Sequence, residues 1–368
     1  MKLQFGIIGL GQSGKTTAFN ALCSTSASVG DYSSSKAANI GMVKVPDVRV
    51  DRLAEMFDSP KRAYAEIEFI DIAGMASRLK DRQDIADKLK EGSYIHQIRM
   101  TQALLVVVRC FEDENIPHPH GSIDPARDIT AIESELVLID LIQIEKRTET
   151  VLHNLKVKPD DKLKQELALM ERMRNHLEEE KPLRELDFSK DEQSFLGGFR
   201  FLSLKPALYL LNLGENQVDN GPQLEQKYMP APGKKRSIAS LCGKLEMEIS
   251  ALDESDREMF LKEMGIRTSA LMMVLQKSYG LLGLITFLTV GSVEARARPI
   301  PEGCTAYQAA GDIHTDMQRG FIKAEIIQYD ELIAAGDWQA AKKAGRLHLE
   351  GKDYIVKDGD VILLRFNV

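Results

Sequence analysis

Residues Gly9-Leu10-Gly11-Gln12-Ser13-Gly14-Lys15-Thr16 carry the spacing G-x-x-x-x-G-K-[ST] of a phosphate-binding loop. The chemistry this spacing permits is the gripping of a polyphosphate. Gly9 and Gly14 let the backbone curl, so that the segment from Gly11, Gln12 and Ser13 through Lys15, Thr16 and Thr17 can turn successive N–H groups and a helix N-terminus toward the anion. Lys15 is placed to reach the β- and γ-phosphates, and the Thr16 hydroxyl to ligate Mg²⁺. A chance glycine-rich turn would share the spelling but not the surroundings. Here an apolar run over 3–9 reads as a buried strand before the loop, and Lys15 to Leu22 reads as a helix after it.

Three further segments fit the same chemistry. Asp71-Ile72-Ala73-Gly74 ends an apolar strand over 65–72, where Asp71 can hold Mg²⁺ directly or through water and Gly74 can offer a backbone N–H to the γ-phosphate. Asn212-Leu213-Gly214-Glu215 follows a strand over 207–213 and stands where guanine-specific enzymes carry N-K-x-D. Leu213 replaces the lysine that lies along the base, and Glu215 is one methylene longer than the aspartate that pairs with guanine, so adenine is the expected base and guanine the alternative. Cys242-Gly243, after a strand over 237–241, is a weaker candidate for a second base-side loop. Met75, just after Gly74, can neither orient nor deprotonate water. His118 lies on the loop after the strand over 103–111, at the ligand edge of an open α/β sheet, and is a candidate for positioning water; the alternative is an ordinary surface-loop histidine.

Those strands, near-continuous in their apolar character, predict a parallel sheet covered on both faces. Residues 128–200 interrupt it. Val137, Leu141, Ile144, Thr148, Val151 and Leu155 recur at spacings of four and three, and Leu163, Leu167, Met170 and Leu177 resume the rhythm after Lys158-Pro159-Asp160-Asp161, which predicts a helical hairpin. From about 279 a strand, strand, helix, strand pattern predicts a small α+β domain. The expected division is therefore a nucleotide domain over 1–127 and 201–278, a hairpin over 128–200 and a C-terminal domain over 279–368. The chain is 43% hydrophobic with a net charge of −7, the balance of a soluble globular protein and not of a broadly basic DNA binder. No apolar run is long enough to span a membrane, and Cys23, Cys110, Cys242 and Cys304 are too scattered for a zinc site. After Tyr279 there are 10 Lys and Arg against 12 Asp and Glu, so a basic patch from Arg296, Arg298, Lys342, Lys343 and Arg346 must be local.

With these residues assembled, the chain resembles the YchF / Obg-like ATPase family of P-loop proteins. The likeness runs through Val107 to Asp113, Ile123-Asp124-Pro125-Ala126-Arg127-Asp128-Ile129, and the C-terminal stretches Ala309 to Asp316, Gly320 to Glu325 and Leu349 to Tyr354. It implies a β-grasp TGS domain at the C-terminus, ATP over GTP through Asn212 and Glu215, His118 as a catalytic histidine, and a cytosolic, ribosome-bound setting with ribosome or ribosomal RNA met through the TGS and helical domains. It also implies Ser35 in place of the Mg²⁺-sensing threonine of switch I. Gly11 and Gln12 stand where the family commonly has Pro and Asn, and related enzymes use that Asn for an activating K⁺. The functions to be weighed are a slow ATPase switch, a GTPase of the same architecture, and a nucleotide-sensing scaffold with little turnover.

Overall fold

The unbroken apolar runs of the sequence become the middle of a parallel sheet. The computed structural model describes residues 3–23, 39–71, 94–229, 235–252, 256, 259 and 270–367. Its first elements are β1 (Leu3–Ile8), α1 (Lys15–Cys23), β2 (Asn39–Val45), α2 (Val48–Met56), β3 (Lys61–Ala63), β4 (Ala65–Asp71), α3 (Tyr94–Met100) and β5 (Ala103–Arg109). Then come α4 (Pro125–Val157), α5 (Asp161–Glu178), α6 (Lys190–Leu196), β6 (Ala207–Asn212), α7 (Gly221–Tyr228), β7 (Arg236–Leu241), α8 (Gly243–Ala251) and α9 (Ala270–Leu281). The remainder is β8 (Leu284–Val290), β9 (Glu294–Pro301), α10 (Ala306–Ile313), α11 (Thr315–Arg319), β10 (Phe321–Gln328), α12 (Tyr329–Ala335), α13 (Trp338–Lys343), β11 (His348–Glu350) and β12 (Asp360–Phe366).

The chain divides into two compact units, one of residues 4–41 and 68–277, the other of 1–3, 42–67 and 278–368. At the centre of the first unit is the run β1-β5-β6-β7 of a sheet ordered β2-β4-β1-β5-β6-β7. β1, β5, β6 and β7 pair in parallel, so their C-terminal ends and the loops that leave them share one edge. Every residue of β5 and β6 is buried, which is why neither strand alternates in sequence.

α4 leaves that edge. Asp124 caps it by accepting from the Arg127 N–H, and Pro125 sits at its first position, where its missing donor costs nothing. The helix serves two cores in turn. Ile129, Ile132, Leu136 and Ile139 pack with the sheet residues Val106, Val108 and Leu211. Val137 and Ile144 instead pack with Leu169, Met170, Met173 and Leu177 of α5. The expected hairpin is thus present, but its first helix starts at Pro125, and its opening turns belong to the sheet.

The second unit has the sheet order β11-β10-β12-β8-β9-β3. A central parallel pair, β12 with β8, is flanked by the antiparallel pairs β8–β9, β10–β12 and β10–β11. Ala306, Ala309 and Ala310 of α10 pack on Phe287, Ile326 and Ile362, the helix-on-sheet arrangement of a β-grasp. Two departures from the sequence reading stand out. β3 adds to the sheet as a parallel partner of β9, and α2 packs Val50 and Leu53 on Leu288 and Ile327, so 42–67 groups with the C-terminal residues. The one helix of the expected strand, strand, helix, strand pattern is two, α10 and α11, because His314 is extended (φ −164°) and its ring accepts from the Asp316 N–H to start α11.

Candidate functional site

The loop between β1 and α1 is shaped by its glycines. Gly9 (φ +156°) and Gly14 (φ +84°) adopt conformations that L side chains avoid. A Cβ at Gly9 would overlap the Val107 carbonyl oxygen, and one at Gly14 would overlap the Asn212 amide nitrogen. Gln12 also has positive φ (+61°) and is exposed, at the crest of the loop beside Gly11. Ser13 is buried, and its Oγ has no hydrogen-bond partner among the described residues. Lys15 bends back, its Nζ donating to the carbonyls of Gly9 (3.0 Å) and Leu10 (2.8 Å). Burial pushes this ammonium from 10.5 down to about 8, against the upward pull of Asp71. An under-compensated cation, an orphaned hydroxyl and a cradle that any Cβ would fill suit a polyanion.

The Thr16 Oγ1 donates to Asp71 Oδ2 at 3.0 Å. Asp71 is buried at the end of β4. Two hard oxygen donors at that separation, one a carboxylate, fit a small divalent cation such as Mg²⁺. Gly74, Ser35 and Met75, the other residues expected around the phosphate, lie outside the described residues.

Asn212 is a brace. It is 3% exposed. Its Nδ2 donates to the Ser13 carbonyl (3.1 Å), and its Oδ1 accepts from the Gly243 N–H (3.1 Å). One side chain therefore fixes the phosphate loop against the loop that follows β7. Gly243 leaves room for Thr17, whose Cγ2 would lie 3.2 Å from a Cβ there. Cys242 is buried, and burial raises its thiol. Leu213 is 3% exposed and packs in the sheet core. Glu215 is 56% exposed on its side chain and bonds Lys244 Nζ at 2.8 Å. Phe111, to which sequence reasoning gave no role, stands between the phosphate loop and the loop that follows β6: its ring is 3.6 Å from a Cβ placed on Gly14, and its own Cβ 3.7 Å from one placed on Gly214. Arg109 lies over the Phe111 ring, 4.4 Å from its centroid, and donates to the carbonyls of Phe111 and Ile116.

His118 is not an open surface histidine. Its side chain is 4% exposed, and Nε2 is 2.9 Å from Oδ2 of Asp128, itself 3% exposed. Nδ1 accepts from the His120 N–H at 3.1 Å. Arg127 holds the other Asp128 oxygen through Nε and Nη2 and ties back to Ser122. Sequence reasoning named Arg127 and Asp128 only as part of a family signature; their fixing of His118 comes from a turn that brings positions ten apart together.

Among the basic residues expected to form a local patch, Lys342 and Lys343 are exposed, and the three arginines are engaged locally. Arg296 bonds Glu294 through Nε (2.6 Å) and Nη2 (3.0 Å), Arg346 pairs with Glu331 (3.2 Å), and Arg298 is partly buried against Thr289. Among the described residues no helix is long and apolar enough to cross a membrane.

Comparison with known proteins adds the family. A family model described as 50S ribosome-binding GTPase matches residues 4–154, and the YchF-GTPase C-terminal model, described as a protein of unknown function, matches residues 284–367. The ribosome-binding ATPase YchF of Bacillus subtilis (strain 168) is 38% identical over 372 residues, with all of both chains covered. The chain belongs to the YchF family. The ribosome-binding ATPase YchF of Escherichia coli O157:H7 is 39% identical, again over the whole of both chains. The solved YchF GTPase of Schizosaccharomyces pombe superimposes with a TM-score of 0.83 at 27% identity, covering 99% of this chain and 98% of that one. Like other YchF proteins, this chain is a P-loop nucleoside triphosphatase with the family's C-terminal domain.

Proposed function

We propose that the protein is a Mg²⁺-dependent ATPase, preferring ATP to GTP, that works as a nucleotide-dependent switch on the ribosome. The observation that carries the nucleotide reading is the part-buried Lys15, whose ammonium desolvation disfavours, in a glycine-bounded loop beside the Thr16–Asp71 pair. Thr16 and Asp71, with Ser35, would hold Mg²⁺, which when bound supplies positive charge to the phosphates. Lys15 and the loop amides from Gly9 to Thr17 orient the β- and γ-phosphates, and Gly74 offers its amide to the γ-phosphate. His118 is the group that orients the attacking water, since Met75 has no donor or acceptor suited to it.

The adenine preference is supported by Leu213 and Glu215. A buried Leu213 supplies no cation along the base, and Glu215 offers its carboxylate one methylene further out than the aspartate that pairs with guanine. The names of the relatives divide between ATPase and GTPase, so a GTPase of the same architecture is the competing reading. Ribosome binding rests on the names of the bacterial relatives. The hairpin and the C-terminal domain are the proposed contact surfaces.

Phosphate release measured with and without ribosomes tests the enzyme reading. Release from ATP is expected to exceed that from GTP, to rise with ribosomes and to vanish in Lys15→Ala. Equal release by wild type and Lys15→Ala would mean a nucleotide-sensing scaffold. Failure to pellet with ribosomes at low salt would remove the ribosomal setting.

A further inference from the structure

The loop that carries His118 also fixes which of its ring nitrogens holds the proton. A backbone N–H can only donate, so Nδ1, which faces the His120 N–H at 3.1 Å, presents its lone pair. The proton of the neutral ring therefore sits on Nε2, where Asp128 Oδ2 accepts it at 2.9 Å. Asp128 is itself held. Its backbone N–H donates to the Asp124 carbonyl in the first turn of α4, and its second oxygen takes two N–H groups of Arg127. The His118 and Asp128 side chains are almost wholly buried, so bulk water does not compete for the bond between them.

We propose that Asp128 is the positioning residue of His118: it locks the imidazole as the Nε2–H tautomer, so that Nδ1 is the atom that accepts a hydrogen bond from the attacking water. This rests on the reading of His118 as the water-orienting group. The lone pair that would meet water is the one now occupied by the His120 amide. That amide belongs to a short turn, closed by Gly121 N–H to the His118 carbonyl at 2.9 Å, with Gly121 at φ +75°. Opening this turn frees Nδ1 while the Asp128 bond keeps the ring's tautomer. The Asp128 bond anchors the ring to α4, the helix that continues into the hairpin. Asp128 touches neither nucleotide nor water in this scheme and acts only through His118.

Nitrogen NMR of the full chain labelled on its histidine rings tests the assignment directly. Wild type is expected to show His118 with the proton on Nε2, and Asp128→Asn, whose amide can donate in place of the carboxylate, to move it to Nδ1. In the same variant kcat is expected to fall at least tenfold, toward that of His118→Ala, with KM within twofold and the melting temperature held. A wild-type Nδ1–H signal overturns the proposal without any variant being needed. So does an Asp128→Asn enzyme that turns over as fast as wild type or faster while His118→Ala is slow. If His118→Ala is as fast as wild type, the water-orienting reading falls and this proposal with it.

Discussion

At the scale of single residues, the site is governed by how buried groups are compensated. Lys15 has its charge opposed by burial and returned only in part by Asp71. A bound triphosphate favours the charged form, so its pKa rises in the complex. Affinity is therefore at full strength below about pH 8, the value for the free protein, and weakens as pH rises through it, by up to tenfold per unit. A series of nucleotide dissociation constants from pH 7 to pH 10 checks this; a flat series would mean that Lys15 does not meet the phosphates. Asn212 makes a second prediction. Asn212→Ala strands the Ser13 carbonyl and the Gly243 N–H in a buried place, at ~1–3 kcal/mol for each unsatisfied group. A lower melting temperature together with weaker nucleotide binding is expected, and an unchanged dissociation constant would show that the brace does not shape the phosphate loop. Lys15 and Thr16 were legible in sequence because a short motif fixes their geometry. The double contact of Asn212 was not, because it joins residues 199 and 31 positions away. The sequence pattern offered Asn212 for the base; in the structure its Nδ2 and Oδ1 each also hold a backbone group.

At the scale of elements, α4 is the telling case. Its apolar positions do not form one stripe. The first turns face the sheet, the later ones face α5, and Val137 and Leu136 point to different cores. Periodicity alone therefore revealed the hairpin and its turn near Pro159 but placed its start at 128, three residues past the observed Pro125. Ile144 is fully buried in the hairpin core. Ile144→Ala is expected to cost ~2–5 kcal/mol through lost burial and the cavity left behind. Hydrogen exchange should show lost protection in α5, with nucleotide affinity within twofold of wild type. Val157→Ser, at a position 75% exposed, should change stability by less than ~0.5 kcal/mol. A hairpin as protected in Ile144→Ala as in wild type would contradict the assignment of that core. β3 escaped the sequence reading for a plain reason: Lys61-Arg62-Ala63 has no alternation and no β-branched residue, and its place is set by pairing with β9.

At the scale of the whole molecule, the parallel sheet, the hairpin and the β-grasp domain were legible because each has its own period: continuous runs, spacings of four and three, and short strands between turns. The grouping of 42–67 with the C-terminal residues was not, since it depends on contacts between segments more than 200 positions apart, such as Arg49 with Asp358 at 2.8 Å. The function proposed for the molecule requires a purine triphosphate held with Mg²⁺ by the first unit. Calorimetric titration of the full chain with ATP and with GTP, each with and without Mg²⁺, measures that most directly. ATP is expected to bind more tightly with Mg²⁺, to bind at least tenfold more strongly than GTP, about 1.4 kcal/mol, and to lose its binding in Lys15→Ala. Binding of neither nucleotide to the folded chain, or GTP bound tenfold more tightly than ATP, would contradict that expectation.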